Sequence, residues 1–153
     1  MGTVVLDTSV VLALLDPEDA LHSPAVTAVR RCHAAGDRLA LPAVVLAELL
    51  VGAARRGEDE LRTRHHQITA AFGSPVPVDA AVAVAAASLR ARHRSLRMPD
   101  ALVLATAEVT AAEVVLTGDK QWAALDPRVE LIGLAAGTGE PAPAREDEPG
   151  PPG

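Results

Sequence analysis

Apolar residues in this chain fall into short runs that alternate with longer segments of helical spacing. TVVL before Asp7, RLAL at 38–41 and EVVLT at 113–117 are predicted strands, because short apolar runs end at polar or turn residues. VPV at 76–78 and VELIG at 129–133 are further strand candidates. The strands are therefore separated by segments long enough to hold helices.

Prolines, glycines and capping residues mark these helices. The predicted helices are SVVLALLD, a segment from His22 to about Cys32, one opened by Pro42, one over Glu58 to Phe72, DAAVAVAAASLRARH capped by Asp79, and one started by Pro99 and Asp100. Alternating strands and helices predict an α/β fold of three layers, α/β/α, with a mostly parallel central sheet covered on both faces.

The length of 153 residues suits a single domain. We expect residues 1–135 to form it. Residues 136–153 are rich in proline, glycine and acidic residues and have no apolar pattern, so they are predicted to be a disordered tail.

The composition restricts the class of protein. Hydrophobic residues make up 49% of the chain, and only Phe72 and Trp122 are aromatic. No apolar run reaches the roughly 20 residues of a membrane span, and the start MGTVVLD lacks the basic residues of a signal peptide. We therefore expect a cytoplasmic protein. Cys32 is the single cysteine, which excludes an internal disulfide and predicts a small buried side chain.

The net charge of −6 at first argues against a nucleic-acid partner. Four of the 20 acidic residues lie in residues 138–153, so the rest of the chain is less acidic than the total. Basic residues concentrate at 54–66 and at 90–97, and the second stretch comes just before Asp100. These stretches either contact a phosphate backbone or are ordinary solvated helix faces.

Four carboxylates lie among apolar residues or at helix starts, namely Asp7, Glu48, Asp100 and Asp119. Asp7 and Asp119 follow predicted strands, and ligands of parallel sheets bind beyond the carboxyl ends of the strands. Asp7 and Asp100 have a structural alternative as helix caps, and Asp119 has one as a turn residue after Gly118. Apolar or small neighbours almost surround Glu48, which favours a functional or paired place over solvent.

Together the four acids are more typical of a metal site than of four separate caps and turns. An oxygen-only donor set suits Mg²⁺ or Mn²⁺, whereas zinc favours histidine or cysteine. His65 and His66 are adjacent and point in different directions on a helix, so they make a poor metal pair. The hydroxyls of Ser9 and Thr117 either support the metal-binding carboxylates or are plain hydrogen-bonding caps at the strand ends.

Four motifs also carry a family resemblance. In this order, over about residues 3 to 134, LDTSVVLALL, PAVVLAELLVGA, MPDALVLATA and LTGDKQW resemble the PIN-domain ribonucleases, and among them the VapC-type toxins of bacterial toxin–antitoxin pairs. The resemblance implies that the acidic quartet Asp7, Glu48, Asp100 and Asp119 binds one or two Mg²⁺ or Mn²⁺ ions. Many relatives have a further acid where this chain has Gln121, which leaves the second metal position open.

The resemblance implies an RNA substrate, a cognate antitoxin partner and a homodimer. In this hypothesis Asp7 and Asp100 hold the metal, Glu48 positions or deprotonates the attacking water, and Asp119 completes the metal shell. Arg90, Arg94 and Arg97 share one helical face, provided that the helix continues, and grip the RNA backbone.

Two other classes of function remain open at this point. An α/β phosphotransfer module would use a phosphorylated aspartate, but Asp7 is followed by Thr8 and Ser9 rather than by the second aspartate that a haloacid-dehalogenase-like enzyme needs. A non-catalytic binding protein would keep the fold without the activity, although the intact quartet argues against it.

Overall fold

Parallel strands form one central sheet, and Asp7 and Asp119 follow two neighbouring strands of it. The computed structural model describes residues 1–133 and contains four strands there, β1 (Thr3–Leu6), β2 (Arg38–Ala40), β3 (Val114–Thr117) and β4 (Val129–Leu131). They are all parallel and lie in the order β2, β1, β3, β4. The predicted tail, residues 136–153, and the predicted domain boundary at residue 135 lie outside the described residues.

Each predicted helix is present. The helices are α1 (Thr8–Leu15), α2 (His22–Ala35), α3 (Ala43–Arg56), α4 (Glu58–Phe72), α5 (Ala80–Arg92) and α6 (Met98–Val109), with a short 3-10 helix over Lys120–Ala124. Asp79 caps α5 as predicted, because its carboxylate accepts a hydrogen bond from the backbone nitrogen of Val82 at 2.9 Å.

Helices flank the sheet, as the sequence predicted. Val4, Val5 and Leu6 are all buried, although successive side chains of a strand point to opposite faces. Both faces of β1 are therefore covered. α6 packs against β1 and β3, α1 packs against β3, and α2 packs against β2. The three-layer α/β/α class is confirmed.

The strand predicted at residues 76–78 is wrong. Val76 makes a single parallel bridge, donating to the carbonyl of Leu41 and accepting from the nitrogen of Ala43, each at 2.8 Å. The partner segment begins α3 at Ala43, so the ladder does not continue beyond this bridge.

The core includes Cys32, which was predicted to be buried, and the single tryptophan. Trp122 is buried in the core cluster, and so is Cys32, where burial raises the pKa of the thiol. A raised pKa leaves less reactive thiolate, so Cys32 acts as a small apolar side chain. Within residues 1–133, none of the helices has both the length and the apolar character needed to cross a membrane.

The turn before β4 contains a buried ion pair that the sequence did not reveal. Asp126, 6% exposed, accepts hydrogen bonds from the backbone nitrogen and Nε of Arg128 at 2.9 Å each and from its Nη2 at 2.6 Å. The hydrogen bonds from the Arg128 side chain lower the pKa of Asp126. This pair fixes the turn that leads into the edge strand.

We predict that Asp126→Asn destabilises the fold by about 1–2 kcal/mol near neutral pH, because the charge is lost while an oxygen remains for the turn. Since the folded-state pKa of Asp126 is lowered, its contribution is present above the unfolded value of about 3.9 and disappears as pH falls through the folded value. Urea denaturation from about pH 7 to about pH 3 should show the difference between the two proteins shrinking.

Asp16→Asn is the matched control. Asp16 is exposed and makes the same kind of turn, accepting from the nitrogen of Glu18 at 3.0 Å. Its effect should be small at every pH. A gap between wild type and Asp126→Asn that stays constant on acidification would contradict the assignment.

Candidate active site

Asp7 lies where β1 passes into α1. Its backbone nitrogen donates to the carbonyl of Leu116 at 3.0 Å, so it continues the ladder between β1 and β3. Its side chain is the N-cap of α1 and accepts from the nitrogen of Thr8 at 2.7 Å. Asp7 therefore caps α1, which was the structural alternative that the sequence offered for it. Because Asp7 is only 8% exposed, its charge depends on such donors and on the positive end of the helix.

Two hydroxyl groups hold the second oxygen of Asp7. Ser9 Oγ donates to Oδ2 at 2.8 Å, and Thr117 Oγ1 donates to the same oxygen at 2.7 Å. Both hydroxyls also accept a hydrogen bond, Ser9 from the nitrogen of Gly118 at 2.9 Å and Thr117 from the nitrogen of Asp119 at 3.0 Å. The start of α1 and the turn after β3 are thus joined through the Asp7 carboxylate.

Gly118 lies close to Ser9 and Leu21 in this turn. A Cβ atom at Gly118 would lie 2.9 Å from Leu21 Cδ1 and 3.4 Å from Ser9 Oγ. A side chain at this position would meet Ser9 at ordinary contact distance but would require the end of the Leu21 side chain to move.

Asp119 begins the 3-10 helix beyond β3. Its Oδ1 accepts from the nitrogen of Gln121 at 2.9 Å, and the residue is exposed. Asp119 is therefore a turn residue, as the alternative from the sequence proposed. Its backbone nitrogen still joins it to Thr117, next to Asp7.

Glu48 reaches the site from α3. It accepts a short hydrogen bond from the Thr8 hydroxyl, so it is paired with the residue directly after Asp7. Glu48 is nevertheless exposed, and the expectation that it avoids solvent is wrong. The apolar residues around it lie on different sides of α3, since Val45 and Leu49 are buried while Val51 is 46% exposed.

Asp100 lies in the first turn of α6, and Arg97 rather than Asp100 is the N-cap. Both carboxylate oxygens face this arginine, with Arg97 Nε 3.2 Å from Oδ2 and Nη2 3.4 Å from Oδ1. The Asp100 side chain is 17% exposed and that of Arg97 is 76% exposed. The ion pair therefore lies at the mouth of the site rather than inside the core.

Three of the four acids act electrostatically on Arg97. The hydrogen bond and the charge of Asp100 raise the pKa of Arg97, and the charges of Glu48 and Asp119 raise it further. By contrast, among residues 1–133 no lysine or arginine forms an ion pair with Asp7.

Hydrogen bonds connect three of the four acids at one edge of the sheet, whereas Asp100 is paired with Arg97. Asp7 and Asp119 share one hydrogen-bonded network, and Glu48 is connected to it through Thr8. In the part of the chain that the structure describes, no three Asp, Glu, His or Cys side chains are arranged to hold a metal ion together. The donor set of four carboxylates is still chemically suited to a hard divalent cation.

The predicted arginine face is wrong. α5 ends at Arg92, so Arg90, Arg94 and Arg97 do not share one helix. Arg90 donates to the carbonyl of Leu96 at 2.8 Å and braces the loop between α5 and α6. Arg94 is exposed in that loop, and Arg97 lies against Asp100.

Sequence reasoning missed two residues of this site. Thr8 was given no role, although its hydroxyl links Glu48 to the start of α1. The pairing of Arg97 with Asp100 was also missed, although their spacing of three residues at a helix start was a usable signal.

The fold and the site together define an α/β domain with acidic side chains at the carboxyl edge of a parallel sheet. The PIN domain model matches residues 4–126, and the chain belongs to this family. No curated protein matches the chain significantly.

Solved structures of toxin–antitoxin proteins have the same fold. VapBC2 from Rickettsia felis, bound to a promoter DNA fragment, superposes with a TM-score of 0.68 at 16% identity, covering 85% of this chain and 98% of that one. VapC20 from Mycobacterium tuberculosis, described as a sarcin-ricin loop cleaving toxin, gives 0.61 at 22% identity, covering 79% and 93%. VapBC-5 from the same organism gives 0.55 at 26% identity, covering 86% and 98%.

We predict that Thr117→Val destabilises the protein by about 2 kcal/mol, because a buried hydroxyl that serves both Asp7 and Asp119 is replaced by a methyl group of similar size. Denaturation in urea gives the free energy of unfolding.

Thr106→Val is the matched control, since Thr106 is equally buried but its hydroxyl bonds only to Leu102 O in its own helix, at 2.8 Å. That bond is local, so its loss should cost less than about 1 kcal/mol. Equal losses in the two variants would show that the network around Asp7 adds nothing beyond burial.

Proposed function

We propose that this protein is a metal-dependent endoribonuclease that acts as the toxin of a type II toxin–antitoxin pair. One observation supports it above the others. In a PIN domain chain, the buried Asp7 is held by Ser9 and Thr117 at the carboxyl edge of the sheet, with Glu48 joined to the same point through Thr8. A buried carboxylate held only by neutral donors is costly to ionise, and a bound cation would offset that cost.

The acids suit Mg²⁺ or Mn²⁺. Asp7 and Asp100 would hold the ion directly, and Glu48 and Asp119 would complete its surroundings. When bound, such an ion supplies Lewis acidity toward a phosphodiester and lowers the pKa of bound water. A single ion is the simpler case, because Gln121 replaces an acid found in many relatives.

The protein's own groups then have separate roles. Glu48 is exposed and accepts a hydrogen bond from Thr8, and we assign it the role of accepting the proton of the attacking water. The water oxygen forms a bond to phosphorus while one P–O ester bond breaks. Ser9 and Thr117 keep Asp7 in place throughout.

An RNA substrate is supported by the likeness to VapC20, which is described as cleaving the sarcin-ricin loop. The chain offers few aromatic side chains for base stacking, so a folded or backbone-read RNA fits better than an unstructured one. Arg97 is exposed beside Asp100 and Arg94 is exposed in the preceding loop, and these are the arginines that we assign to phosphate contacts.

The proposed partners follow the same likeness. Structural neighbours include VapBC toxin–antitoxin structures, which supports a cognate antitoxin that neutralises this chain in the cytoplasm. A homodimer through alanine- and valine-rich helices is part of the proposal. α5 offers such a face, where Val84 is 68% exposed.

Asp7→Asn and Asp100→Asn should each lower Mg²⁺- or Mn²⁺-dependent RNA cleavage at least about 100-fold, because each removes a charged ligand from the ion. Cleavage of total cellular RNA by the purified protein, with mapping of the new ends, measures the effect. Asp16→Asn, which changes an exposed aspartate at the end of α1, should keep wild-type activity.

Circular dichroism must show that both variants remain folded. Full activity in either one would refute the proposed site. Metal binding by the wild type without cleavage of any RNA would instead favour a non-catalytic PIN-domain binding protein.

A further inference from the structure

Arg97 and Asp100 form a two-point contact at the start of α6. Nε and Nη2 of the guanidinium face the two different carboxylate oxygens, at 3.2 and 3.4 Å. The backbone of Arg97 caps the helix, and its carbonyl accepts from the nitrogen of Ala101 at 2.9 Å. The side chain is 76% exposed, so it can leave Asp100 without disturbing the cap or the core.

These are the same oxygens that a divalent cation would use. A hard cation binds carboxylate oxygens directly, and an oxygen turned toward a guanidinium is less available to it. A bound cation and a guanidinium at one carboxylate also repel each other. The contact is with Asp100, and the charges of Glu48 and Asp119 also favour a cation at this place.

We propose that Arg97 is a built-in counter-ion of the acidic site, which a divalent metal must displace from Asp100 before the site is loaded. The proposal rests on the proposed metal-dependent function and adds its regulation. In the metal-free protein Arg97 offsets the repulsion among the acids. After displacement the same side chain is free to meet the RNA backbone.

The strength of this competition is limited. The pair is solvent-accessible at the arginine, and exposed ion pairs are weak. Removing the competitor should therefore tighten metal binding about two- to fivefold, which is the range that exposed pairs allow.

The test is calorimetric titration of Mn²⁺ into the purified wild type, Arg97→Gln and Arg97→Lys. Arg97→Gln should bind Mn²⁺ about two- to fivefold more tightly than wild type. Arg97→Lys keeps the charge and should remain near wild type. Arg92→Gln, which removes an exposed arginine from the last turn of α5, is the control and should not change the affinity.

Thermal unfolding with and without Mn²⁺ gives a second readout. Arg97→Gln should have the lower Tm without metal and the larger increase in Tm on adding Mn²⁺, because tighter binding stabilises the folded state more. Neither readout requires RNA cleavage.

Unchanged affinity in Arg97→Gln would overturn this inference alone. Weaker binding would also overturn it, because Arg97 would then be orienting Asp100 for the metal. Failure of wild type and all variants to bind Mn²⁺ would overturn the proposed metal-dependent function, and this inference with it.

Discussion

The buried carboxylate of Asp7 must have its lone pairs satisfied, and the donors that satisfy it come from two distant parts of the chain. Thr8 and Ser9 belong to the helix that Asp7 itself caps, whereas Thr117 ends a strand 110 residues later. This arrangement requires β1 and β3 to be neighbours in register and requires α1 to begin at that point. Leaving the carboxylate buried without these donors would cost several kcal/mol. The same few hydrogen bonds therefore couple the fold to the site.

The parallel sheet places these polar groups together at the carboxyl ends of its strands. Asp7 and Thr117 end adjacent strands on the same side, and helices cover both faces, so the carboxyl edge is where polar groups meet solvent. The four acids differ in how far they are buried. Asp7 is buried, Asp100 is half-buried, and Glu48 and Asp119 are exposed. Asp7 is held by neutral hydrogen-bond donors, and Asp100 is held by Arg97. These contacts keep both carboxylates in position although the acids do not form a closed chelate.

Local pattern predicted most of the fold, because helix starts, prolines and β-branched runs act over a few residues. Pattern failed where contacts between distant residues decide the structure. Val76 makes only an isolated bridge because its partner segment begins α3 at Ala43, and the apolar neighbours of Glu48 lie on separate sides of α3. The four acids were recognisable from their motifs. The partner of Glu48 was not, since its hydrogen bond to Thr8 depends on how α3 approaches α1, whereas the spacing of Arg97 and Asp100 was a usable signal.

The proposed cation site at this acidic edge can be located in a crystal of the protein grown with Mn²⁺, by recording the anomalous diffraction of the metal. We expect an anomalous peak contacted by the carboxylates of Asp7 and Asp100, with Arg97 turned away from Asp100. A peak elsewhere on the protein, or no peak in the presence of saturating Mn²⁺, would contradict the proposed site.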